Sequence, residues 1–273
     1  DPDAAWRVLK DYCVVEAREA VDPATPKPPG TIRVVCVSDT HAQTGKEVMV
    51  TVPNGDILIH AGDFTKTGSP GDVVGPHGFV AWLDALPHPH KIVIAGNHDV
   101  TMVRHGVGCH PEYYDRMYHR YHRRKHSCAE LIAAVKGSSA TYLEDEATTV
   151  LGYKFYGSPW QPEFCDWAFN VDRGEPCREK WRAIPSDTEI LVTHGPPLGH
   201  GDMCLPGHNR AGCVDLLREV QDRIKPILHV FGHIHEGYGV TSNGHTLFAN
   251  ASTCNLRYSP TQSALVFDLP ARE

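Results

Sequence analysis

The chain has no apolar run approaching the roughly 20 residues that a membrane-spanning helix needs. It lacks an excess of positive charge: 26 Lys and Arg stand against 33 Asp and Glu, a net charge of −7. No general basic field is therefore available to draw in polymeric nucleic acid. C-x-x-C pairs are missing as well. The nine cysteines are scattered and odd in number, and Cys36 sits inside an apolar run. That usage reads as free thiols in a reducing compartment, hence a cytoplasmic location, rather than as a disulfide framework. There is no internal repeat and no low-complexity segment. What the chain has in quantity is histidine, 18 in 273 residues, so their placement matters.

Residues 1–30 read as a peripheral arm, with a helix in Ala4–Ala20 followed by the prolines Pro23, Pro26, Pro28 and Pro29, which end it as an extended lead-in. From 31 to 270 short apolar runs alternate with turn signals and helical stretches. The runs are Ile32–Val37, Ile57–Ala61, Ile92–Ala95, Phe155–Gly157, Ile190–Thr193, Leu228–Phe231, Thr246–Ala249 and Ala264–Phe267. They are short, β-branched and bounded by Gly, Pro or Asp, which predicts buried strands. Helices are expected at Gly78–Leu86, Pro111–Lys125, Ser127–Val135, Pro176–Ile184 and Val214–Ile224. The pattern implies an α/β domain of two packed sheets with helices outside.

Five of these runs end in a residue type that binds metals. Ile32–Val37 leads into Ser38-Asp39-Thr40-His41, Ile57–Ala61 into Gly62-Asp63, and Ile92–Ala95 into Gly96-Asn97-His98-Asp99. Ile190–Thr193 leads into His194-Gly195-Pro196, and Leu228–Phe231 into Gly232-His233-Ile234-His235. Any one of these has an ordinary explanation; Gly-Asp after a strand is usually a turn. All five in order, each directly after a strand, do not. Groups just past the carboxyl ends of neighbouring strands converge on one crevice, so the pattern predicts a metal site of mixed oxygen and imidazole donors. Such donors suit Mn, Fe, Zn or Co, manganese leading, better than Ca.

These five motifs resemble the signature motifs of the calcineurin-like metallophosphoesterases. Thr193–Gly199, His229–Gly239 and Asn250–Cys254 resemble in particular the metallophosphoesterase-domain-containing brain proteins, near relatives of class III cyclic nucleotide phosphodiesterases. The resemblance runs from about Thr31 to Pro270 and is loose through 100–140. It implies a four-layer α/β/β/α sandwich of two mixed sheets. It also implies one metal on Asp39, His41, Asp63 and His235, a second on Asp63, Asn97, His194 and His233, and Asp63 as the bridge. The implied reaction is in-line attack of a metal-bridging hydroxide on a small phosphodiester, a cyclic nucleotide above all, with His98 protonating the leaving oxygen. A phosphomonoesterase, nucleotidase or protein phosphatase could use the same ions. A scaffold that only keeps the fold would be expected to lose ligands, and none is missing. A DNA nuclease fits poorly with the acidic balance.

One departure bears on specificity. Protein phosphatases of this superfamily carry Gly-Asp-x-x-Asp-Arg-Gly, whose second Asp orients the acid histidine; here Lys66 stands in that place and the Arg is absent. Asp99 is then the candidate partner of His98. Substrate contacts are expected from Asn97, His98, Trp160 and His200, with Asp202 near the rim. The run Gly157–Trp160 with Phe164 and Trp167 either stacks a nucleobase or packs internally. His60 and His229 are either core residues or partners of the ligands. The basic, His-rich stretch 104–126 is either a solvated helix face or a cap near a phosphate cleft.

Overall fold

The computed structural model describes residues 1–44, 51–103, 119–122, 124 and 126–272. The predicted helix at Pro111–Lys125 and most of the basic stretch 104–126 lie outside the described residues.

A five-stranded sheet runs in the order β16 (Leu265–Pro270), β2 (Thr31–Val37), β3 (Ile57–Ala61), β4 (His90–Ile94) and β5 (Thr141–Tyr142). A seven-stranded sheet runs β1 (Glu16–Arg18), β14 (Gly239–Ser242), β15 (Leu247–Asn250), β13 (Leu228–Phe231), β10 (Ile190–Thr193), β7 (Tyr153–Ser158) and β6 (Glu146–Val150). Two small pairs, β8 (Gln161–Pro162) with β9 (Asn170–Val171) and β11 (Met203–Cys204) with β12 (Asn209–Arg210), lie in the loops.

The unbroken apolar character of the central strands follows from burial on both faces. In β2, Ile32, Val34 and Cys36 join a core with Ile59 and Ile92 of their own sheet and Ile190, Val192, Leu228 and Val230 of the other. The alternate residues Val35 and Val37, with Leu58 and Val93, belong instead to a cluster with Phe79 and Leu83 of α3 (Phe79–Ala85) and Leu131 and Val135 of α4 (Cys128–Lys136). Behind the seven-stranded sheet, Leu191 and Phe248 share that cluster with Trp181 of α5 (Glu175–Arg182) and Leu216 of α6 (Val214–Arg218). The layers are thus helix, sheet, sheet, helix. Each such side chain taken fully out of water contributes about 1.5–3 kcal/mol, and the polar residues buried on these strands, such as Arg33, His60 and His229, are hydrogen-bonded. Pairing is parallel through β2, β3 and β4 and through β7, β10, β13 and β15. The loops after these strands therefore gather at one edge.

The N-terminal segment departs from the expected arm. Its helix, α1 (Pro2–Leu9), starts on Asp1, whose side chain accepts the Ala4 N–H at 3.0 Å, and it ends well short of Ala20. Glu16–Arg18 then pairs antiparallel with Ser242–Val240 and extends the seven-stranded sheet. An open sheet edge offers unpaired backbone groups to any extended neighbour, and this outweighs the helical potential of Glu16-Ala17-Arg18. Residues 1–30 lie at the surface, none of them buried, but are tethered to the domain: Arg33 also binds the Thr25 carbonyl while pairing with Asp268, and Trp6 lies under the Arg210 guanidinium at 4.2 Å. The stretch Val214–Ile224 is not one regular helix either; it turns from α6 into a π-helical segment at Glu219–Ile224. No helix among the described residues is long and apolar enough to cross a membrane.

Candidate metal centre

Each strand that points at this edge ends in an abrupt turn. Asp39, His41, Asp63 and His233 take left-handed backbone conformations, with φ of 53°, 43°, 55° and 68°. Non-glycine residues held there cost of order 1–3 kcal/mol each unless their surroundings over-determine them. Here they do. The Asp39 N–H donates to the Gly62 carbonyl at 2.9 Å, the His41 N–H to the Asp63 carbonyl at 3.0 Å, and the His233 N–H to the Asp39 carboxylate at 3.0 Å. The turns reverse the chain so that successive side chains face one point. Two motif glycines serve the same convergence by lacking a side chain. A Cβ on Gly96 would lie 2.4 Å from Asp63 Oδ1, and one on Gly232 would lie 2.0 Å from Asp39 Oδ2.

The structure brings all seven predicted ligand residues together. On one side, His235 Nε2 lies 3.4 Å from Asp39 Oδ1 and 3.1 Å from His41 Nε2, and His41 Nε2 lies 3.9 Å from Asp63 Oδ2. On the other, His194 Nε2 lies 3.4 Å from Asp63 Oδ2 and 2.9 Å from Asn97 Oδ1, which is 2.8 Å from His233 Nδ1. Asp63 stands between the two sides, grouped with His41 and His98 on one and with His194 and His233 on the other.

The far sides of the rings settle what the near sides offer. His41 Nδ1 faces the Thr65 carbonyl at 3.3 Å, His194 Nδ1 the Ala61 carbonyl at 2.9 Å, and His235 Nδ1 the Asn255 carbonyl at 3.0 Å. A carbonyl only accepts, so each Nδ1 carries the hydrogen and each neutral ring presents an Nε2 lone pair. If both were neutral, His41 and His235 would aim lone pairs at each other beside a carboxylate. Burial lowers His235, but its hydrogen bond to Asp39 draws it up, so a cation, whether a proton or a metal ion, is favoured between them. The Nδ2 of Asn97 is buried and has no partner among the described residues.

Electrostatics agree. Burial pushes Asp39 and Asp63 up, but His235 beside the first and His194 beside the second hold both carboxyls well below the usual range. Burial pushes His41 down to about 4 and His233 down to about 3, so both rings are neutral donors at physiological pH. His194 differs: burial lowers it, yet the Asp63 carboxylate draws it up to about 9. A proton on its Nε2 and a metal ion compete for one place between Asp63 and Asn97.

His98 stands half-buried above this centre. Its N–H donates to Asp63 Oδ1 at 2.7 Å, and its Nδ1 donates to the Lys66 carbonyl at 2.8 Å. The residue that replaces the orienting aspartate thus supplies an acceptor from its backbone. Asp99 does not orient His98. Its carboxylate accepts from Thr65 N–H at 2.9 Å, the Thr65 hydroxyl at 2.7 Å and Gly96 N–H at 2.8 Å, tying two ligand loops together. Burial, with the nearby Asp63, pushes its carboxyl up to about 7.

Two predicted substrate contacts fall elsewhere. Trp160 is buried with its indole N–H on Asp145 at 2.8 Å and the Lys180 ammonium 3.8 Å from its ring centre. His200 is buried too, its ring stacked on Phe248 at 3.7 Å and Nδ1 bonded to the Thr241 hydroxyl at 2.8 Å. Both rings went to the interior because each found an apolar neighbour and a polar partner there. Asp202 is likewise buried, paired with Arg210. The aromatic run divides: Trp160 packs inside, while Phe164 meets the His233 ring at 5.3 Å and Trp167 stacks on His98 at 4.1 Å.

The cleft over the centre has a volume of about 320 Å³, with Asn97, His98, Phe164, Glu236, Leu256 and Tyr258 in its lining. Leu256 and Tyr258 were invisible to motif reasoning, and Glu236, though inside the run His229–Gly239, was given no role by it. Tyr258, for example, follows no ligand motif, yet its ring lies 4.8 Å from His41 and 5.5 Å from His235.

His60 and His229 are core residues, and each also bonds a threonine next to a candidate ligand. The Gly62 N–H donates to His60 Nδ1 at 3.3 Å, so His60 Nε2–H donates to the Thr40 hydroxyl at 3.0 Å, between Asp39 and His41. The Thr193 hydroxyl donates to the Gly195 carbonyl at 2.8 Å, so it accepts from His229 Nε2–H, also at 2.8 Å, beside His194.

Comparison with known proteins gives matches to most of the chain. The model of the calcineurin-like phosphoesterase family matches residues 32–237. Metallophosphoesterase domain-containing protein 1 of Homo sapiens is 46% identical over 257 residues, covering 92% of this chain and 76% of that protein. A UPF0046 protein of Caenorhabditis elegans is 38% identical over 284 residues, covering 99% of this chain and 68% of its own length. A solved structure aligns with a TM-score of 0.51 at 12% identity, covering 88% of this chain and 99% of that one, a likeness of fold alone.

Proposed function

We propose, for a chain that belongs to the calcineurin-like phosphoesterase family, a two-metal phosphodiesterase acting on small diesters, cyclic nucleotides foremost. Membership makes the chain a metallophosphoesterase; the number of ions, the diester preference and the residue roles are our reading. The observation that carries it is Asp63 standing between His41 of one donor group and His194 and His233 of the other. Asp39, His41, Asp63 and His235 would hold one ion, and Asp63, Asn97, His194 and His233 the other. Transition-metal ions in such a site supply Lewis acidity, which activates water and neutralises charge on a phosphoryl group.

The remaining work falls to the chain. His98 holds a hydrogen on Nδ1 for the Lys66 carbonyl, so its Nε2 is the atom that delivers a proton to the departing oxygen. Asn97 can turn its unpartnered Nδ2–H toward a phosphoryl oxygen. Phe164, Leu256 and Tyr258 shield the centre from bulk water. A cleft of about 320 Å³ suits a ligand of nucleotide size. The absent Asp-Arg-Gly run counts against phosphoprotein substrates.

The test is kcat/KM of manganese-loaded protein on 2′,3′- and 3′,5′-cyclic nucleotides, nucleoside monophosphates and phosphoserine peptides. The cyclic nucleotides should lead; a clear preference for the peptides would reverse the assignment.

A further inference from the structure

We infer that Trp167 is a positioning residue for His98, and that the loop 163–169 is built to hold it there; the inference rests on the role of His98 proposed above. One hydrogen bond, from Nδ1 to the Lys66 carbonyl, leaves an imidazole free to swing about that bond. The His98 ring is held on two further sides. Its face lies on the Trp167 ring, centroids 4.1 Å apart and planes 24° from parallel, and its edge meets His41 at 4.6 Å. Trp167 is backed in turn by Tyr121, stacked at 5.1 Å and 20°. His98, Trp167 and Tyr121 thus form one column of rings leading away from the metal centre.

The loop carrying Trp167 is attached to the loop carrying His98. The Ala168 N–H donates to the Asn97 carbonyl at 3.1 Å, so the residues next to Trp167 and His98 are joined through the backbone. The loop is braced internally as well. Gln161 Nε2 donates to the Ala168 carbonyl at 2.7 Å, and both the Trp167 N–H (3.2 Å) and Asn170 Nδ2 (3.1 Å) donate to the Phe164 carbonyl. Cys165, Asp166 and Phe169 all adopt left-handed conformations, with φ of 52°, 58° and 54°. Strained backbone of this kind persists where the surroundings demand a particular shape. Its result here is that Trp167 reaches the proposed acid while Phe164 reaches His233.

Orientation of an acid matters in proportion to the need for its proton. A misplacement of about 1 Å can cost 100-fold. Trp167→Ala should therefore lower kcat on a 3′,5′-cyclic nucleotide about 10- to 100-fold, with KM and metal content little changed. It should barely affect bis-p-nitrophenyl phosphate, whose leaving group departs as a stable anion. Trp167→Phe, which keeps a flat face, should restore most of the loss. The double variant with His98→Ala should be no slower than His98→Ala alone. A second readout needs no turnover. In the zinc-loaded protein, which is diamagnetic, the His98 ring protons, assigned by their disappearance in His98→Ala, should move downfield in Trp167→Ala once the indole ring current is gone.

Equal losses on both substrates, or fully additive losses in the double variant, would overturn the inference and make Trp167 a packing residue. If His98→Ala itself shows no selectivity for the poor leaving group, the acid role fails instead. The proton shifts then decide the positioning question separately: an unmoved His98 signal overturns it, and a moved one keeps the stack while removing its catalytic purpose.

Discussion

The two sheets contribute unequally to the same centre. The five-stranded sheet delivers Asp39, His41, Asp63 and Asn97, including both carboxylates, whereas the seven-stranded sheet delivers only the imidazoles His194, His233 and His235. Beneath each half lies the same support, a strand histidine bonded to a threonine next to a ligand: His60 with Thr40, and His229 with Thr193. The supports differ in completeness. His60 uses both ring nitrogens, while His229 Nδ1 is buried without a partner among the described residues. The carboxylates are thus concentrated in one half, and the other contributes imidazoles alone. Contacts between the halves, such as His194 Nδ1 on the Ala61 carbonyl and the His233 N–H on Asp39, hold the two donor groups in register.

This comparison can be broken most severely at Asp63, the carboxylate proposed above to serve both ions. Asp63→Ala should reduce bound metal from two equivalents to one or none. It should weaken binding by more than the about 10- to 100-fold typical of an outer partner. Asp39→Ala, in the same half but in one group only, should spare the second ion. Metal analysis after dialysis against manganese checks both; a fully active Asp63→Ala protein with two ions would sink the bridging assignment.

Next in size is His98→Ala. It should slow a cyclic nucleotide about 100- to 10,000-fold, the range of general acid assistance, or roughly 3–5 kcal/mol at 1.36 kcal/mol per tenfold. Turnover of bis-p-nitrophenyl phosphate should change far less, with both ions retained. Equal losses on the two substrates would assign His98 to phosphate binding instead.

The two supports separate at smaller cost. Thr193→Val leaves His229 with neither ring nitrogen paired, whereas Thr40→Val leaves His60 its bond from the Gly62 N–H. An unsatisfied buried polar group costs about 1–3 kcal/mol, so both variants should lose stability, and Thr193→Val more. Urea denaturation of the metal-loaded proteins measures this; the reverse order would show that the supports are not equivalent devices.

The smallest effect is on pH. Burial, with a contribution from His200, holds His229 down to about 3. Below the ordinary imidazole value of about 6.5 the unfolded chain takes up a proton that the folded chain refuses, so stability is lost as pH falls. Between pH 7.5 and 5.5 the wild type should lose about 1.4 kcal/mol more than His229→Gln, from one group crossing one unit below that value. Parallel stability curves for the two proteins would show that His229 is not buried neutral.

Much of this was legible in the residues. The central strands read clearly because burial on both faces leaves an unbroken apolar run, as in Ile32–Val37 and Leu228–Phe231. The edge strands did not. Side chains of Glu16–Arg18 are exposed and those of Glu146–Val150 mostly so, so hydrophobic pattern carries no signal and only backbone pairing makes them strands. Among site residues, those in turns directly after strands were visible because turn geometry demands Gly and Asp in short, ordered strings. Tyr258 and Leu256 were not, because a cleft wall needs only shape, and many residue types at many positions supply it.

Trp160 and His200 show the same limit from the other direction. An aromatic or a histidine near a ligand motif has the right chemistry for a substrate contact whichever way it points, and rotamer and neighbours decide that direction. The strand-end motifs by themselves determined where a metal could be bound, since donor type and order along parallel strands leave one edge for them to meet. Only the tertiary structure decided which ring nitrogens face that edge, that the Lys66 backbone takes the place of an orienting carboxylate, and that Trp167 rather than Trp160 stands beside the centre. Those choices depend on carbonyls and ring faces contributed by segments distant in the chain, and such contacts leave no local pattern to read.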